Sequence, residues 1–193
     1  GEAGVGVVAT QSMANPEYGP KGLRLMNNGM SPGEAIQALI EADPGQAYRQ
    51  VALLNAEGET AVHTGDSCIG AAGHMTGDGY SVQANLMTDA SVWKAMADRF
   101  EQTEGQPLAE RLLSSLEAAE QVGGDIRGKQ SAALLVVRAE STGSEYADCL
   151  VDLRVDDHEN PLEELRRLYT IDQAYDWLSK GDQAIEKGNF NAA

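Results

Sequence analysis

Apolar residues recur along this chain with two different periods, and the order of those periods sets the first expectations. Residues 3–12, AGVGVVATQS, are small and β-branched and read as a buried strand that ends in polar Thr10, Gln11 and Ser12. The turn ANPEYGPKG follows, with Pro20 placed to open a short helix over 23–28 that Gly29 closes. In SPGE, Ser31 is a helix cap, Pro32 takes the first turn and Glu34 completes a capping box. Ala35, Ile36, Leu39 and Ile40 then share one helical face, and Asp43-Pro44 ends the helix. Residues 51–54 and Thr60–Thr64 read as the two strands of a hairpin across a polar turn. The glycine-rich stretch 68–79 has no period. Residues 80–87 alternate, so Ser81, Gln83 and Asn85 fall on one face of a strand.

Two helices are predicted next, over 91–100 and 107–122, the second stopped by Gly123-Gly124. The polar turn GGDIRGKQS leads directly into the most apolar strand of the chain, Ala132–Val137. A last strand over 149–157 and a helical region from Pro161 complete the order. Helices come in pairs between groups of strands. A doubly wound parallel sheet alternates one strand with one helix, so this order favours an α+β arrangement of sheets covered by helix pairs.

Charge narrows the functional classes. Fourteen Lys and Arg against 30 Asp and Glu leave a net charge of −16. An excess of that sign disfavours nucleic acid, whose phosphates need cationic partners, and an anionic membrane surface. No apolar run approaches the roughly 18 residues of a membrane helix. The two cysteines, Cys68 and Cys149, are compatible with one disulfide or with none. There is no CxxC pair, and His63, His74 and His158 are scattered, so neither a metal nor any other cofactor is called for.

Several stretches carry a resemblance that covers most of the chain in order: EAGVGVVATQSMANPEYGPKGL, EADPGQAYRQVALLNAEG, HTGDSC, GHMTGDGYSVQANLM, TEGQPLAERLL, GGDIRGKQSAALLVV and LVDLRVDDH. The chain resembles the family called domain of unknown function 1028, which is assigned to the N-terminal-nucleophile (Ntn) hydrolase-like superfamily. The resemblance implies a four-layer αββα sandwich over residues 1–160, lacking the superfamily's opening β-hairpin, plus a C-terminal helical appendage over 161–193. It also implies an amidohydrolase or peptidase-like activity on a small-molecule or peptide-like substrate. The nucleophile would be a Thr or Ser whose own α-amino group is the base. Gly1 has no side-chain nucleophile, so that residue is expected upstream of this chain.

By the same resemblance Thr10, Gln11 and Ser12 match the strand end that supplies oxyanion-hole N–H groups. Asp125 and Ser131 loosely match an acid–turn–serine element that supports the base. Gln83 and Asn85 are placed to orient substrate. Asn15, Arg49, His74, Arg127 and Gln130 complete the candidate binding set. Each has a plain structural reading beside the functional one: a turn for Asn15, an ion pair for Arg49 and for Asp125 with Arg127, a strand cap for Gln130 and Ser131, and a satisfied buried pair for Thr10 and Gln11.

The tail AYDWLSKGDQAIEKGNFNAA resembles the start of a tetratricopeptide repeat at Trp177, Gly181, Gly188, Phe190 and Ala193. That resemblance raises a second functional class, a domain that binds a ligand or a protein partner through the C-terminal helices. A third is self-assembly, since layered sheets offer edges for homo-oligomers.

Overall fold

The structure is a computed structural model that describes residues 1–186. The chain divides into two compact units. The first holds Gly1–Gly128 and Leu135–Asp152; the second holds Lys129–Leu134 and the residues from Leu153 onward.

The first unit is built on a three-stranded antiparallel sheet of β1 (Gly6–Ser12), β2 (Arg49–Asn55) and β3 (Thr60–Thr64), in that order. Helices α1 (Tyr18–Asn27) and α2 (Pro32–Glu41) cover one face of it. Strand alternation explains which residues meet them. Val51 and Leu53 of β2 are fully buried against Tyr18, Met26, Ala35, Ile36 and Leu39. The helix α2 begins as its sequence dictates: Ser31 accepts from the Glu34 backbone N–H while the Glu34 carboxylate accepts from the Ser31 N–H. Helix α1 begins at Tyr18, earlier than Pro20 alone signals, because a ring with no N–H is tolerated anywhere in a first turn.

The other face of β2 and β3 meets a second antiparallel sheet, β4 (Gly73–Gly77) with β5 (Tyr80–Ala84). Helix α3 (Ser91–Gln102) packs on β4 and β5, and α4 (Leu108–Gln121) packs on α3. Tyr80, Val82, Ala97 and Phe100 form the buried core of this half, with Met75, Trp93 and Leu112 against it. The sequence reads residues 68–79 as irregular, and the structure finds β4 there. Its glycines are present because aromatic rings lie directly on the strand. A Cβ on Gly73 would stand 2.6 Å from the Trp93 ring, and one on Gly77 would stand 2.1 Å from the Tyr80 ring.

Strands β6 (Ala132–Val137) and β7 (Cys149–Val155) form a two-stranded sheet of their own, with a one-turn helix α5 (Glu145–Asp148) between them. Asp148 is buried and accepts from the Ser141 and Thr142 hydroxyls and the Thr142 N–H, which pins that loop. The last strand ends at Val155, two residues before the apolar pattern's predicted end, where Asp156 and Asp157 turn the chain.

In the second unit, α6 (Pro161–Glu186) is one helix of 26 residues that passes through Gly181. Leu165 and Tyr169 are buried, whereas Tyr175, Trp177 and Leu178 are exposed. Gly188, Phe190 and Ala193 of the repeat-like pattern lie outside the described residues. The molecule is thus a mixed α+β protein with small antiparallel sheets and a C-terminal helix. Among the described residues no helix is long and apolar enough to cross a membrane.

Candidate functional site

A glutamine stands where the sheet pattern calls for an apolar residue. Gln50 is fully buried, and its side chain leaves β2 on the face turned to the second sheet. The antiparallel register places Gln11 opposite it on β1 and Thr64 opposite it on β3. Three polar side chains therefore cross the sheet in one row. From the other sheet, His74 and Gln83 face each other across the β4–β5 ladder, and Asn85 follows on the same face as Gln83.

The hydrogen bonds fix how the Gln50 amide is turned. Its Oε1 accepts from Gln11 Nε2 at 2.6 Å and from Asn85 Nδ2 at 3.0 Å. Its Nε2 donates to the Gly73 and Ala84 carbonyls at 3.1 and 3.0 Å, and lies 2.9 Å from Thr64 Oγ1. Carbonyls only accept, so no flipped orientation satisfies this set. Thr64 Oγ1 lies 2.8 Å from His74 Nδ1. Part of the His74 ring meets solvent, yet the ring is desolvated enough that burial, with His63 adding, lowers its pKa below the ordinary imidazole value. Among the described residues no donor reaches the buried Gln83 Oε1. The cluster is thus uncharged, rich in amide donors and acceptors, and one buried acceptor short of satisfied.

The family model for DUF1028, described as a family of unknown function, matches residues 1–165. The chain belongs to the DUF1028 family. Its backbone is also similar to the crystal structure of the DUF1028 protein SPO2555 from Silicibacter pomeroyi, with a TM-score of 0.78 and 31% sequence identity. That likeness covers 88% of this chain and 71% of the Silicibacter protein. No curated protein matches the chain.

In this DUF1028 chain the sequence candidates fall into separate groups. Gln11, His74, Gln83 and Asn85 join the inter-sheet cluster. Thr10 does not, although it adjoins Gln11. It pairs with Val51, whose side chain faces α1 and α2, so Thr10 points to the helix side. Its Oγ1 is buried there without a partner among the described residues. Ser12 ends β1 in the left-handed region, at φ 65°. Since β1 is the edge of its sheet, one row of its backbone N–H groups faces away from β2.

Asn15 and Arg49 belong to a second cluster, organised by Asp43. The Asp43 carboxylate accepts from Arg49 Nε and from the Tyr18 hydroxyl, both at 2.9 Å, and from Asn15 Nδ2 at 3.4 Å. The Gly45 N–H donates to its other oxygen. The Arg49 guanidinium, followed by the Gly45 N–H, holds the Asp43 carboxyl far below the usual range. Burial, followed by the bond to Asp43, pushes the Tyr18 phenol up to about 12. Arg49 is therefore engaged in an internal ion pair through Nε and bonds the Met13 carbonyl through Nη1.

Asp125 and Arg127 form a local turn pair. The Arg127 N–H and guanidinium both bond the Asp125 carboxylate, and that guanidinium is the main cause of its lowered pKa. The Asp125 backbone bridges to Met87. Gln130 and the exposed Ser131 belong to the second unit, where the Gln130 carbonyl accepts from the His158 N–H at the foot of β6.

Sequence reasoning missed Gln50, Thr64 and Asp43. Gln50 carried a usable signal: a lone amide inside RQVALLN, on a strand buried on both faces, must be hydrogen-bonded. Cys68 and Cys149 are free thiols. Among the described residues no group of three or more His, Cys, Asp or Glu is placed to hold a metal. A cleft of about 440 Å³ lies at the other end of β1 and β2, beside Gly4, Asn55 and Glu57. Of the three carboxylates that line it, Glu34 and Glu59 are engaged by Ser31 and Asn55.

Proposed function

We propose that this domain hydrolyses an amide or peptide-type bond in the manner of an N-terminal-nucleophile hydrolase, with the inter-sheet amide cluster as its substrate-orienting wall. The nucleophile is a Thr or Ser expected upstream of Gly1. The observation that carries the reading is the unsatisfied, buried Gln83 Oε1 beside the fully bonded Gln50. A purely structural network gains by satisfying every member, whereas a substrate N–H is the donor this acceptor lacks. Two further features support it. Helices α1 and α2 lie on the far face of the first sheet and α3 on the far face of the second, an order that supports the four-layer αββα reading. The free edge of β1 is also where a preceding hairpin strand would pair, with the N–H groups near Thr10–Ser12 turned to an oxyanion.

The test is the first residue of the native, full-length protein. N-terminal sequencing is expected to find a mature Thr or Ser, and a nucleophile-directed covalent probe is expected to label it. An intact initiator Met, or a first residue that the probe leaves unlabelled, would sink the mechanism.

Exposed Tyr175, Trp177 and Leu178 on α6 favour a second reading. In it the tetratricopeptide-like tail binds a partner polypeptide, as such repeats do. Removing the residues after Thr170 is then expected to abolish partner pull-down. Unchanged interactions would end that reading.

A further inference from the structure

We infer that Thr64 and His74 form a nucleophile–base pair on this chain itself, built to accept an acyl group from an uncharged ester or amide. The argument rests on where the Thr64 proton can go. Thr64 Oγ1 has two polar neighbours, Gln50 Nε2 at 2.9 Å and His74 Nδ1 at 2.8 Å. The Gln50 nitrogen carries only hydrogens toward its neighbours, because its oxygen is fixed by Gln11 and Asn85. It cannot accept the hydroxyl proton. In the neutral tautomer that carries its proton on Nε2, His74 Nδ1 accepts the Thr64 O–H, and this is the form the pair would use. Burial and nearby His63 favour that neutral form. A hydroxyl already aimed at an unprotonated imidazole within hydrogen-bond reach is the arrangement that activates a weak oxygen nucleophile.

The surroundings suit the chemistry. Gln50 Nε2 anchors the Thr64 oxygen, so the side chain is oriented from a rigid, fully buried residue. His74 is exposed on its outer side, so a substrate reaches the pair without opening the core. Asn85 gives one amide hydrogen to Gln50 and has a second to offer a carbonyl oxygen. No charged side chain takes part in the hydrogen bonds of the cluster, which selects an uncharged acyl donor.

The step balances within these groups. Thr64 Oγ1 forms a bond to the carbonyl carbon as its proton passes to His74 Nδ1 and the carbonyl π pair moves to oxygen. That pair returns as the bond to the leaving group breaks, and the leaving amine or alkoxide takes the proton from His74 Nδ1. Water then releases the acyl group from Thr64 by the reverse sequence, with His74 again accepting the proton.

The experiment uses the native full-length protein and 4-nitrophenyl acetate, with release of nitrophenolate followed by absorbance and the acetylated residue located by peptide mass mapping. An acetyl group at position 64 is expected in the wild type and in Thr64→Ser. Thr64→Val is expected to carry none. His74→Gln, an exposed change that leaves the fold intact by circular dichroism, is expected to slow acetylation of Thr64 by about 100-fold or more. Thr64 acetylated at an undiminished rate in His74→Gln would overturn the pair, as would a wild type in which Thr64 stays unmodified. Acetylation of the mature first residue instead would support the reading of the preceding subsection and overturn this one.

Discussion

Replacing Gln50 with Leu removes a buried side chain that bonds both sheets and leaves its volume nearly unchanged. The cost follows from the groups left behind. Gln11 and Asn85 lose their shared acceptor, and the Gly73 and Ala84 carbonyls lose a common donor. Ala84 is buried, and Gln50 itself is fully enclosed, so water does not replace these bonds freely. A buried polar group stripped of its partner costs about 1–3 kcal/mol. Counting the Ala84 carbonyl in full, and half as much for each of the partly exposed Asn85, Gln11 and Gly73, gives about 2.5–7.5 kcal/mol, about 5 at the midpoint. The added apolar side chain returns about 1–2 kcal/mol. The net expectation at the midpoints is a loss of about 3–4 kcal/mol, or roughly 6–16 °C in Tm for a protein of this size. Urea unfolding of Gln50→Leu against wild type, with unchanged m-value, measures it. A variant within about 1 kcal/mol of wild type would refute the view that this amide is the tie between the sheets.

Other expectations concern the Asp43 cluster and the backbone. Asp43 ionises below its ordinary value in the folded protein, chiefly because Arg49 bonds its charged form. Its contribution is therefore present above about pH 4 and lost as pH falls through the lower folded value. Asp43→Asn is expected to be less stable than wild type at pH 7, with a difference that shrinks in acid. A constant difference from pH 7 down to pH 3 contradicts this. Tyr18 and Tyr80 are both raised to about 12, first by burial and then by Asp43 and Glu101. Their stabilisation holds below about pH 10 and is lost as pH rises toward 12, so alkaline absorbance titration should show late phenols, one of them absent in Tyr18→Phe. Ser31→Ala breaks the capping box and is expected to cost about 1 kcal/mol by urea unfolding. Gly6→Ala is expected to cost more, at least about 2 kcal/mol, because φ is +147° and the new Cβ would stand 2.2 Å from the Leu54 carbonyl.

Local chemistry was legible where one residue type has one use. SPGE specified the start of α2 to the residue, whereas the alternation read over 80–87 holds only to the end of β5 at Ala84, with Leu86 in the left-handed region. Residues 68–79 misled because Gly73 and Gly77 usually mark a turn; here they make room for Trp93 and Tyr80, a relation between residues distant in sequence. The site was half legible for the same reason. Gln11, matched through the family resemblance, lies in one inter-sheet cluster with His74, Gln83 and Asn85. Gln50, which joins them, hides inside a strand that reads as apolar. Thr10 and Gln11 are neighbours along the chain yet serve opposite faces, since register and not proximity decides where a strand residue points.

The row of Gln11, Gln50 and Thr64 also bears on how the domain finds a single arrangement. Strand faces alone tolerate sliding, since a shift of two residues, roughly 7 Å, returns every side chain to the same side. The five contacts of one glutamine amide survive in a single alignment. Gly73 and Ala84, the two carbonyls it binds, are direct partners on the β4–β5 ladder. A slip of either strand would pull that rung away from the amide and leave both without replacements. The apolar clusters hold each sheet to its own helices, and between the sheets a single side chain behaves as the dowel that decides where they come to rest.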